Sequence, residues 1–93
     1  MIHMEKKHWG ILIEILEKYK YNFYAFGSRV SGNCKKFSDI DIFFNEEIPN
    51  NILLKLEEEF EESDLPFKVD LINYKKCDSD FQSIMLSHAV KIQ

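Results

Sequence analysis

The sequence predicts a small α/β (α+β) domain, a mixed sheet of about three to four strands with helices packed mainly on one face. Three observations lead there. Apolar residues recur at helical spacing in three separate stretches, short aromatic or β-branched runs lie between them, and glycine or proline marks the joins. With 93 residues, 45% of them hydrophobic and 14% aromatic, the chain can bury one modest core. It shows no repeat, low-complexity tract or Gly/Ser/Pro-rich linker, so residues 1–93 are expected to form a single domain.

In HWGILIEILEKYK the positions Leu12, Ile15, Leu16 and Tyr19 fall at i, i+3, i+4, i+7 and predict a first helix over about residues 4–20. YNFYAF is too short for a stable helix and stops at Gly27, so it reads as a strand. SRVSGN allows one helical turn before Gly32 and Asn33 break it. DIDIFF, from Asp39, is a second strand, closed by NEEIPNN with Asn50 as the expected cap of the next helix. NILLKLEEEFEES then carries Ile52, Leu53, Leu56 and Phe60 on one face, and its glutamates form a solvated opposite face. Beyond Pro66, FKVDLI alternates as a third strand, with Phe67, Val69 and Leu71 on one side and Lys68, Asp70 and Ile72 on the other. Phe81, Ile84, Met85 and His88 predict a closing helix over about residues 78–91.

Charge and cysteine content narrow the function classes. The formal charge is −4 and Arg29 is the only arginine, which leaves no basic stripe to neutralise a phosphate backbone; long DNA or RNA is not the expected partner. Cys34 and Cys77 fit no paired metal-ligand spacing and are too few for a disulfide framework, so they read as free thiols in a reducing compartment. No apolar run approaches the ~20 residues that span a bilayer, and no signal-peptide pattern follows the start, so a cytoplasmic location is expected.

The chemistry centres on FGSRVSGNCKKFSDIDIFF. Asp39 and Asp41, two apart on a strand, point to one face while Ile40 and Ile42 point into the core. If the third strand is a neighbour, Asp70 joins them. Aspartate is depleted in strands, and three carboxylates so close repel one another unless a cation neutralises them. Their hard oxygens suit Mg²⁺, which completes its shell with water and phosphate oxygens, and two such ions would activate an attacking hydroxyl and stabilise leaving pyrophosphate. Gly27-Ser28, at the start of the helical turn, offers close backbone approach, N–H groups and a hydroxyl to phosphate oxygens. Arg29 either faces the phosphates or the partner, or lies on the surface of the turn. Lys68, on the face of Asp70, is read as a phosphate ligand or an ion-pair partner. His3 and His8 are assigned to a loose end of the chain.

Gly27-Ser28, ten residues, Asp39-Ile40-Asp41 and then Val69-Asp70-Leu71 on a later strand resemble the signature of the DNA polymerase β-type nucleotidyltransferase superfamily. More narrowly, nearly the whole chain resembles the minimal nucleotidyltransferases, the MNT antitoxins paired with HEPN toxins. The resemblance implies that Asp39, Asp41 and Asp70 hold two Mg²⁺ ions and that Asp70 helps to activate the acceptor. It places the triphosphate of ATP on Gly27 and Ser28, and AMP on a hydroxyl, a tyrosine of a helical HEPN partner. No acceptor-binding domain is expected within these 93 residues, which independently asks for a second chain. Two further readings stay open: a module that neutralises its partner by docking alone, and the catalytic subunit of a two-chain enzyme modifying a small molecule such as an aminoglycoside. The last-helix stripe near Met85 and His88 is the expected partner surface.

Overall fold

The computed structural model describes residues 2–93. The elements run α1 (Lys6–Glu17), β1 (Tyr24–Phe26), α2 (Ser28–Ser31), β2 (Ile40–Phe44), α3 (Asn50–Glu62), β3 (Val69–Asn73), a 3-10 turn (Tyr74–Lys76), α4 (Ser79–Ser87) and β4 (Val90–Lys91). The strands form one mixed sheet in the order β3-β2-β1-β4. β1 pairs antiparallel with β2 and with β4, and β2 pairs parallel with β3. Parallel neighbours need a crossover, and α3 provides it.

Strand alternation divides the side chains between the two faces of the sheet. Ile40, Ile42 and Phe44 of β2 enter the main core with Leu12, Ile15 and Leu16 of α1 and Leu56 and Phe60 of α3. Val69 and Leu71 of β3 pack against the same cluster. Leu12, Leu16, Ile42 and Leu56 are wholly buried, each contributing about 1.5–3 kcal/mol of transfer free energy. A latch on the surface ties α1 to α3: the Lys18 ammonium and the Tyr19 hydroxyl both donate to the Glu59 carboxylate and hold its pKa below the usual range. The opposite face has a smaller cluster, Phe26, Phe43 and Met85, where α4 covers part of the sheet.

Several boundaries differ from expectation. α1 is shorter than residues 4–20: the Gln93 side-chain amide donates to the carbonyls of Leu16, Tyr19 and Tyr21, drawing the chain out of the helix. β1 starts at Tyr24 because the Asn22 N–H turns to Glu46 Oε1 at 2.6 Å. Asn50 is the first residue of α3 and not its cap; Pro49 occupies that position without a side-chain bond. The closing helix stops at Ser87, and the chain turns at His88 into β4, which pairs with β1. The stripe that suggested a longer helix is mostly outside the core: Met85 is fully buried, but Ile84 is 60% exposed. Met85 is therefore unavailable as partner surface. The N-terminal end is also not loose, since His3 N–H donates to the Arg29 carbonyl and His8 stacks edge-on against Phe67.

Candidate active site

The parallel register sets Asp41 beside Asp70, and the antiparallel register sets Phe26 beside Asp41. The site therefore lies where β1 ends and β2 begins. Asp39 precedes β2 by one residue and is exposed, while Asp41 and Asp70 are half-buried. Burial first, and then the charges of Asp70 and Asp39, raise the pKa of Asp41 above the ordinary carboxylate value. Asp41 and Asp70 are thus set side by side on the second sheet face, with Asp39, just ahead of β2, close enough for its charge to act on Asp41.

Gly27 explains how the turn meets the carboxylates. Its φ of 83° and ψ of −155° lie in a region open almost only to glycine. A Cβ there would stand 2.6 Å from Asp41 Oδ2. The Asp41 carboxylate, as the free end of its side chain, could swing aside only by rotating away from the Gly27-Ser28 turn. Ser28 follows as the first residue of α2, whose leading N–H groups have no partner within the helix. Gly32 ends the turn in the left-handed conformation, its N–H donating to the Ser28 carbonyl.

Arg29 is not a phosphate ligand in this geometry. It is only 4% exposed. Its Nε and Nη2 donate to the Ser38 carbonyl, Nη2 also to that of Lys36, and Nη1 to that of His3. The guanidinium lies 4.3 Å from the centre of the Phe67 ring. Its planar fork thereby ties the N-terminal segment, α2 and the loop leading into Asp39 into one body. Sequence reasoning missed this clamp. The available signal was a single arginine among eleven lysines, placed directly after the Gly-Ser turn. Lys68 takes the ion-pair alternative, its ammonium 3.3 Å from Asp70 Oδ1, and is otherwise well exposed.

Hard carboxylate oxygens, one group destabilised as an anion first by burial and then by its neighbours, are by their chemistry the donor type that suits a divalent cation. Among the described residues no group of three or more acidic, histidine or cysteine side chains is arranged so that it could hold a metal ion.

Residues 11–92 match the family described as Polymerase beta, Nucleotidyltransferase. The chain belongs to this family. Over 75 residues the nucleotidyltransferase domain is 44% identical to the "Probable protein adenylyltransferase MntA" of Haemophilus influenzae, an alignment spanning 78% of this chain and 66% of that protein. The chain thus spans just under two thirds of the length of this curated relative. Among solved structures, the domain matches a crystal structure of a toxin–antitoxin with AMP-PNP, with a TM-score of 0.68 at 22% identity over 91% of this chain and 72% of the other. It also matches a structure of the toxin–antitoxin MntA-HepT, with a TM-score of 0.59 at 15% identity over 96% and 72% of the two chains. At such identities the structural matches establish the fold. No helix is long and apolar enough to cross a membrane among the described residues.

Proposed function

We propose that this domain transfers AMP from ATP to a hydroxyl of a partner protein, the toxin of a toxin–antitoxin pair, and so acts as an antitoxin. The observation that carries the reading is the in-register pair Asp41 and Asp70 beside the Gly27-Ser28 turn, in a member of the nucleotidyltransferase family. The likeness to a protein named as an adenylyltransferase supports the choice of AMP, and the toxin–antitoxin structures of the same fold support a toxin partner, for which the family resemblance implies a helical HEPN protein with a tyrosine acceptor.

Asp39, Asp41 and Asp70 would hold Mg²⁺, which when bound offsets phosphate charge and makes the acceptor hydroxyl easier to deprotonate. The Ser28 hydroxyl and the N–H groups at the start of α2 receive phosphate oxygens and orient the triphosphate. The acceptor oxygen then bonds to the α-phosphorus, the bond from that phosphorus to the bridging oxygen breaks, and pyrophosphate leaves. Asp70, on the strand at the edge of the sheet among the described residues, would orient the acceptor hydroxyl and take up its proton. Arg29 keeps the Ser38 carbonyl, and with it the approach to Asp39, fixed. Most of the catalytic effect in such chemistry is positioning and charge complementarity.

The test incubates the domain with ATP, Mg²⁺ and the helical protein encoded beside it, and weighs that protein by mass spectrometry. The expected product carries one or more added AMP groups on tyrosine, absent with Asp39→Ala/Asp41→Ala. An unmodified partner that is nevertheless neutralised by binding would replace this reading with docking alone.

A further inference from the structure

β3 is the edge of the sheet, and its outer backbone N–H and C=O groups have no neighbouring strand among the described residues. All five residues of Val69–Asn73 are half-exposed. Along this edge runs a groove of about 660 Å³ between α3 and β3, with Phe60 and Leu65 on its apolar side, Glu57 and Glu61 on the helix, and Lys68 and Asp70 on the strand side. Lys68 is paired with Asp70, whereas Glu57 and Glu61 make no ion pair among the described residues. The groove therefore presents uncompensated negative charge beside an open row of backbone hydrogen-bonding groups.

We propose that this groove receives the acceptor protein as an extended, Lys- or Arg-bearing segment that adds to β3 as a fifth strand and carries the hydroxyl to Asp70. The inference rests on the transfer reading above and names the form in which the acceptor is bound. Edge addition draws affinity from main-chain bonds and selectivity from pockets for alternate side chains. Adjacent strands lie about 4.8 Å apart, so a residue set beside Asp70 on the added strand places its side chain on the same face as Asp70 and Asp41. The residues before and after it point the other way, into the groove between β3 and α3. There Glu57 and Glu61 select basic side chains while Phe60 and Leu65 accept their aliphatic stems. The acceptor signature is thus a hydroxyl residue flanked on both sides by Lys or Arg in an extended segment.

The peptide Lys-Val-Lys-Tyr-Lys-Val-Lys tests the groove on the intact domain, with a Glu-for-Lys version as control. In amide NMR spectra the basic peptide is expected to shift Glu57 and Glu61 and to shift and protect amides within Val69–Asn73. Its affinity should drop about tenfold or more in Glu57→Lys/Glu61→Lys, and the acidic peptide should not bind. No binding, perturbation centred away from β3 and α3, or an affinity indifferent to the two reversals overturns the proposal. Labelling of the partner protein separates this from the transfer reading. AMP transfer at an unchanged KM for the partner in Glu57→Lys/Glu61→Lys would overturn the groove and leave transfer standing. Peptide docking at β3 with no AMP transfer to any hydroxyl would leave the docking surface and remove the transfer.

Discussion

Asp41 shows why a functional residue can be a burden to the fold that carries it. Burial and two neighbouring aspartates raise its pKa in the folded state above the unfolded value. A raised carboxylate pKa means that the folded chain holds this proton more tightly. The resulting stabilisation is fully present below the unfolded value of about 3.9 and is lost as pH rises through the folded value. At neutral pH, without a cation, the ionised group therefore works against folding. Asp41→Asn should raise the melting temperature of the metal-free domain near pH 7, with the advantage shrinking in acid, while AMP transfer falls by roughly two to three orders of magnitude. Thermal melts across pH, read beside a transfer assay, check both halves. The pairing of Asp41 with Asp70 was legible in the sequence because period-two alternation places both on the face opposite Ile40, Ile42 and Val69. Arg29 was not, because a lone arginine looks the same in sequence whether its fork meets phosphate or three backbone carbonyls.

At the scale of elements, the least evident feature is how the last residue of the sequence fastens the first helix. Gln93 Nε2 donates to Leu16 O at 2.7 Å and Tyr19 O at 2.8 Å, adding a side-chain donor to carbonyls that also accept from the Tyr19 and Tyr21 N–H groups. Backbone pairing supports the arrangement, with Phe23 N–H donating to the Gln93 carbonyl and Ile92 N–H to that of Phe23. Gln93→Ala should cost about 1–2 kcal/mol, and a domain of this size loses about 4–8 °C of melting temperature per kcal/mol. Nucleotide affinity should stay unchanged, since the bonds lie at the end of α1 remote from Gly27 and Asp41. These long-range bonds also explain which elements were readable. α1 and α3 have long apolar stripes and were placed correctly to within a few residues. β4 has two residues, and the AVKIQ stretch carries too little periodicity to outweigh continuation of α4; its pairing with β1, Val90 with Ala25 and Lys91 with Tyr24, identifies it as a strand. The end of α1 likewise depends on a residue more than seventy positions away, which no local pattern encodes.

The whole molecule is a thin slab, 34 × 32 × 17 Å, whose two faces are unequal. α1 and α3 cover one face of the sheet with the main core, whereas the other carries only the small cluster under α4 and, beside it, the aspartates. Folding alone leaves this second face unfinished, with like charges concentrated on it. A ligand that neutralises those charges binds the folded chain and not the unfolded one, so its binding free energy adds directly to stability. Mg²⁺ with a non-hydrolysable ATP analogue at a hundredfold excess over Kd should add about 2.7 kcal/mol. For a chain of 93 residues that corresponds to roughly 10 °C or more in melting temperature. The analogue without metal should give a much smaller shift, because its phosphates would then face unneutralised carboxylates. In Asp41→Asn the starting temperature should be higher and the response to Mg²⁺ and analogue reduced, since the substitution removes both the repulsion and a ligand. Scanning calorimetry of the two proteins with and without Mg²⁺ measures this exchange. Equal shifts in both would place nucleotide binding elsewhere on the slab.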